Sequence, residues 1–127
     1  MIKKFTLRGK DWDTIKAMDT KQFLALVPSR ERRALKRGFT VAQKKLLTNI
    51  RANPKKFHRT KSRQLVIVPE MVGAKIGVHT GKEYVTVEVK QEMLGHRLGE
   101  FALTRKIVKH SAPGFGATRS SKYVPLK

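Results

Sequence analysis

The sequence predicts an α+β fold: several short helices, then three strands, then a basic tail. Three observations lead there. Apolar residues recur at helical spacing through the first half of the chain. β-branched runs, one continuous and one alternating, lie between residues 64 and 90. Charge then separates these regions. Residues 64–104 hold four lysines and arginines against five acids, near neutrality, so this stretch can make a core. Residues 29–63 hold thirteen against one, and residues 105–127 six against none, which marks the flanks as cationic arms.

The elements follow in order. Residues 11–37 read as short helices, because Trp12, Ile15 and Met18, and then Phe23, Leu26 and Val27, recur with helical period. Pro28 closes that piece, Ser29 is positioned to cap a helix over 30–37, and Gly38 ends it. This helix crowds Arg30, Arg32, Arg33, Lys36 and Arg37 together, a repulsion that nearby anions would relieve. Thr40-Val-Ala-Gln43 is a capping box opening a helix to about Ala52, with Leu46, Leu47 and Ile50 as its apolar stripe. Asn53-Pro54 stops it. The stretch 55–63 is almost entirely polar and cationic apart from Phe57, and reads as a loop shaped by its partner.

Gln64–Val68 is a continuous β-branched run and reads as a central strand. Pro69 ends it, and Glu70–Gly73 reads as a turn. Ile76–Thr80 and Tyr84–Lys90 read as two strands joined around Gly81-Lys82. In the second, Val85, Val87 and Val89 alternate with polar residues, so one face is buried. Residues 91–101 read as a helix with Leu94, Leu98 and Phe101 on one stripe. Gly95 and Gly99 each weaken a helix by about 1 kcal/mol relative to Ala. Either the helix is marginal, or another backbone approaches closely along that face. Beyond Thr104 the period fails. Beyond His110 only Phe115, Tyr123, Val124 and Leu126 are sizeable apolar groups, too few to offset the ordering entropy, and the tail is expected to be disordered alone.

The chain has one domain's worth of residues, and the reading divides it into a helical extension (1–29), an α+β body (30–109) and an extended basic tail (110–127). Residues 1–8 lack the apolar stretch of a secretory signal, and no run approaches a membrane span. There is no cysteine, which fits a reducing compartment and excludes thiolate metal sites. His58, His79, His96 and His110 are not spaced as metal ligands, no serine sits in a nucleophile elbow, and no glycine run matches a phosphate-cradling loop. An enzyme is therefore disfavoured, and neither metal nor cofactor is expected.

A net charge of +20 concentrated in arms is the footprint of a nucleic-acid binder. The candidate RNA contacts are the arm cations. Arg33, Lys36 and Arg37 lie on the small helix, and Lys44, Lys45 and Arg51 on the next. Lys55, Lys56, His58, Arg59, Lys61 and Arg63 fill the basic stretch after it. Arg105, Lys106, Lys109, His110, Arg119 and Lys122 lie in and before the tail. His79, Lys82, His96 and Arg97 join them from the body. Such cations neutralise phosphates, and A-form RNA is met through shape and backbone. A free-standing nucleic-acid chaperone shares the charge, but has no need of a neutral β unit.

A family resemblance then sharpens the reading. Thr80-Gly-Lys82, Val89, Leu94-Gly95, Leu98-Gly-Glu-Phe101 and Thr104 keep the spacing of a signature. It resembles that of a universal family of small-subunit ribosomal proteins, numbered nineteen in bacteria and fifteen in eukaryotes. Leu35-Lys-Arg-Gly-Phe39, Pro69-Glu-Met-Val-Gly73, Val78-His-Thr-Gly81 and Gly95-His-Arg-Leu-Gly-Glu-Phe101 resemble further family motifs, in the right order over residues 32–109. The extension before residue 30 and the ending from Lys109 to Lys127 resemble the archaeal and eukaryotic branch, and the short stretch 53–63 favours the archaeal. The resemblance implies a small three-stranded mixed sheet with helices packed against it, and a structural role in translation in the cytoplasm. It also implies ribosomal RNA of the small-subunit head as partner, a neighbouring head protein of the family numbered thirteen, and a tail near the decoding region and its tRNAs.

Overall fold

The computed structural model describes residues 3–110. It opens on a hairpin that the sequence pattern does not announce: β1 (Thr6–Leu7) pairs antiparallel with β2 (Lys10–Asp11). Arg8 and Gly9 both take positive φ (48° and 78°), the two-residue turn that matches strand twist. Three short helices follow: α1 (Trp12–Ala17), α2 (Thr20–Phe23) and α3 (Ser29–Lys36). Ser29 does not cap α3. Pro28 takes the N-cap position and Ser29 is the first helical residue. Gly38 ends the piece with φ +86°, as expected.

The helix α4 (Val41–Ala52) carries the anticipated capping box. The Thr40 side chain accepts from the Gln43 amide at 3.4 Å, and the Gln43 side chain accepts from the Thr40 amide at 3.0 Å. Leu46, Leu47 and Ile50 are buried. At about 1.5–3 kcal/mol each, their burial rather than propensity holds this helix in place.

The sheet is three-stranded and mixed, but one of its strands differs from the expected one. It runs β3 (Phe57–Thr60), β4 (Lys75–His79), β5 (Tyr84–Glu88), with β3–β4 parallel and β4–β5 antiparallel. The stretch read as a loop thus supplies an edge strand. Its inward residues are His58 and Thr60, both 8% exposed, so its alternation is invisible to a hydrophobic pattern. Conversely, Gln64–Val68 is not a strand of the sheet. Leu65 to Val68 are all buried, and their extended backbone pairs with residues 95–99. The Ile67 amide donates to the His96 carbonyl (2.8 Å), Leu98 to Leu65 (3.1 Å) and Gly99 to Arg63 (2.9 Å). Val66 and Arg97 form an isolated β-bridge.

The same bonds explain why residues 91–101 are not a helix. The Gly95, Leu98 and Gly99 amides donate to the Ile67, Leu65 and Arg63 carbonyls, which interrupts any continuous ladder of helical bonds along 91–101. What remains are two single 3₁₀ turns, Gln91–Met93 and Leu98–Phe101, separated by Gly95 at φ +79°. The close-approach account of Gly99 holds: a Cβ there would sit 3.1 Å from the Arg63 carbonyl oxygen.

One apolar cluster joins all these parts. Ile15, Phe23 and Val27 from the N-terminal helices meet Leu46 and Ile50 of α4, the 65–68 segment, Ile76, Val78 and Val87 of the sheet, and Leu94 and Leu98.

Candidate nucleic-acid interface

Arg30, Arg33 and Arg37 recur at i, i+3 and i+7, which places them on one face of α3 and its end. That face forms a wall of an open cleft of about 620 Å³, closed opposite by Phe39, Thr40 and Gln43 at the start of α4. Gln64, Leu65, Val66 and Arg97 also line it. Arg33 and Arg37 belong to the expected interface. Arg30 falls outside the expected set, although its helical spacing from Arg33 and Arg37 is present in the sequence. Glu31 and Arg32 of the same helix turn away from solvent. Glu31 pairs with Arg97 at 3.5 Å, with the side chains 11% and 16% exposed. Arg32 donates to the Leu24 (2.9 Å) and Val27 (3.1 Å) carbonyls, tying α3 to the preceding turn.

Other residues expected to meet RNA also have partners inside the protein. Arg63 donates to the carbonyls of His79 (2.6 Å), Gly99 (2.9 Å) and Ala102, holding β4 and the last 3₁₀ turn together. The buried His58 ring sits with Nε2 2.9 Å from the Asn53 carbonyl. Arg51 donates to the Glu70 carboxylate at 2.7 Å while still largely exposed, and that bond holds its pKa above the ordinary arginine value, so it stays charged. His96 meets Glu100 at 2.8 Å and stands edge-on to Phe101.

The remaining cations face solvent. Lys36, Lys44, Lys45, Lys55, Lys56, Arg59, Lys61, Lys82, Arg105, Lys106, Lys109 and His110 are all exposed, with Lys106 also 3.6 Å from Glu83. His79 is half-buried at the end of β4. Its Nδ1 accepts from the Gly81 amide (3.0 Å), so the ring carries its proton on Nε2. Arg119, Lys122 and the rest of the tail lie outside the described residues. Among the described residues no three His, Asp or Glu side chains come together to hold a metal ion, and no helix is long and apolar enough to cross a membrane.

An arginine-walled cleft and lysine-studded elements on a small α+β body define a protein built to meet a polyanion. A sequence model of the family described as ribosomal protein S19 matches residues 33–110. A relative from Methanospirillum hungatei JF-1, named small ribosomal subunit protein uS19, is 48% identical over 124 residues, covering 98% of this chain and 90% of the relative. The chain belongs to the ribosomal protein S19 family, whose members are structural and not enzymatic constituents of the translation machinery.

Proposed function

We propose that the chain is a structural constituent of the small ribosomal subunit that holds ribosomal RNA by its phosphate backbone. The observation that carries this is the cleft between α3 and α4, where Arg30, Arg33 and Arg37 face one open space. Among the described residues no carboxylate lines that cleft, since Glu31 is turned to Arg97. Guanidinium groups are suited to such a place, because each can fork two N–H donors onto one phosphate. The name of the Methanospirillum relative supports the subunit assignment.

The finer reading rests on the family motifs. The body anchors in the head of the subunit beside the protein of the family numbered thirteen. Residues 110–127 extend toward the decoding region and its tRNAs. Extension, body and tail then divide as 1–29, 30–109 and 110–127.

The test is binding to small-subunit ribosomal RNA across a salt series. Replacing Arg30, Arg33 and Arg37 together with Gln should weaken binding and flatten the plot of log affinity against log salt. The expected change is about 0.7–0.9 in slope for each phosphate no longer neutralised. An unchanged slope with a folded variant would show that the cleft faces solvent. Sedimentation adds a second check: the protein should stay with small subunits through moderate salt, whereas a chaperone would spread along the gradient.

A further inference from the structure

The outward face of the sheet is chemically unlike the rest of the surface. Register places Phe57 and Arg59 of β3, Lys75, Gly77 and His79 of β4, and Tyr84, Thr86 and Glu88 of β5 on this side. The strand aliphatics Ile76, Val78, Val85 and Val87 are all on the other side. Beside Lys75, Thr86 and Glu88, the outward side chains are planar: two aromatic rings, one imidazole and one guanidinium.

Gly77 makes these groups a continuous strip. It lies in the middle strand, in register with Arg59 and Thr86, and has no side chain to part its neighbours. The Phe57 ring fills the space above it so closely that a Cβ on Gly77 would stand 2.5 Å from the ring tip. The Arg59 guanidinium reaches over the centre of the sheet to within 5.5 Å of the Tyr84 ring centroid. His79 stands edge-on to Tyr84 at 4.8 Å. Tyr84 is thus fixed from two directions, yet Phe57 and Tyr84 remain 40% and 37% exposed.

We infer that this sheet face is a stacking platform for unpaired RNA bases, with Tyr84 and Arg59 as its centre. The inference rests on the RNA-binding reading above and extends it from phosphate to base. A platform of rings and a guanidinium on an open sheet matches the π-face that every base offers, and bases already stacked inside a duplex have none free. Among the described residues the three strands present no Val, Leu or Ile on this face, so its apolar surface is that of the rings. Charge agrees with a nucleic-acid strand: Lys55, Lys56 and Lys61 flank β3, Lys82 sits in the β4–β5 turn, and Glu88 is the one acid that the strand register places on the face.

The test compares two probes of equal length and charge, a single-stranded oligoribonucleotide and its abasic counterpart, binding to the full chain at fixed salt. The wild type should prefer the base-bearing probe by about 5- to 150-fold, the range expected for one stacked base. Tyr84→Ala should abolish that preference while leaving the salt slope intact, and Tyr84→Phe should keep it. In the wild type, Tyr84 ring protons should move upfield on titration with the base-bearing probe and not with the abasic one, a readout independent of how the alanine variant folds. Equal binding of both probes, an unmoved Tyr84 ring, or a preference for duplex RNA would overturn the platform and leave the phosphate-binding reading standing. Absence of salt-dependent binding to any probe would overturn both.

Discussion

Arg63 shows how far one side chain's role depends on what surrounds it. It ends a run of cations that would all be assigned to a nucleic-acid partner on charge alone. In the fold its guanidinium instead donates to three carbonyls, those of His79 in β4 and of residues 99 and 102. Charged hydrogen bonds of this kind hold more than neutral ones, and a lost donor leaves half-buried carbonyls unsatisfied. Arg63→Gln should therefore lower unfolding stability by about 2–4 kcal/mol, read by urea denaturation. Lys61→Gln, two residues away and exposed, should stay within about 0.5 kcal/mol of the parent. Gly99 belongs to the same joint. With the Arg63 carbonyl 3.1 Å from where a Cβ would stand, Gly99→Val must push the two segments apart. That variant should melt below the parent and enter subunits poorly. Normal incorporation of Gly99→Val would mean the joint can yield.

At the scale of elements, α4 carries its own start signal, and the extended 65–68 segment takes its form from its neighbours. The α4 capping box satisfies otherwise orphaned amides locally, through Thr40 and Gln43. Thr40→Ala should cost about 1 kcal/mol in unfolding stability, with the helix intact by circular dichroism. No change in midpoint would show that solvent replaces the cap without loss. The run at 65–68 has all the composition of a central strand, but no strand of the sheet pairs with it. The turns at 95–99 supply its hydrogen bonds, and Gly95 at φ +79° lets them do so. The sheet position went instead to residues 57–60, which bury a histidine and a threonine.

For the whole molecule, the charge that dominates the composition is spread over elements that the core holds in fixed relation. Every cation retained on the surface should add to the salt dependence of RNA binding. A variant with Lys36, Arg37, Lys55, Lys56 and Arg59 all replaced by Gln should keep the parent's thermal midpoint and show a flatter salt slope. All its substitutions are at exposed positions. Among the described residues the buried apolar cluster spans residues 15–102. On the reading of residues 110–127 as a tail apart from the body, deleting Ser111–Lys127 should leave the midpoint close to the parent's. On the proposed reading, subunits carrying the truncated protein should assemble and translate with altered speed or fidelity. Failure to enter subunits at all would make the tail an assembly anchor.

The α+β class, the helices within 11–52, two strands read at 76–80 and 84–90 and found at 75–79 and 84–88, and the cationic arms were all legible in the sequence. Each depends on information held within a few residues: a period, a capping pair, a turn glycine, a local charge count. Tertiary structure decided which cations face outward, which apolar run joins the sheet, and that Phe57, Arg59, His79 and Tyr84 share one face. Those outcomes turn on hydrogen bonds and packing between residues far apart in the chain, such as Arg63 with Gly99 or Arg59 with Tyr84. A local pattern cannot carry them, because a polar residue can satisfy an inward position whenever a distant carbonyl is there to receive it.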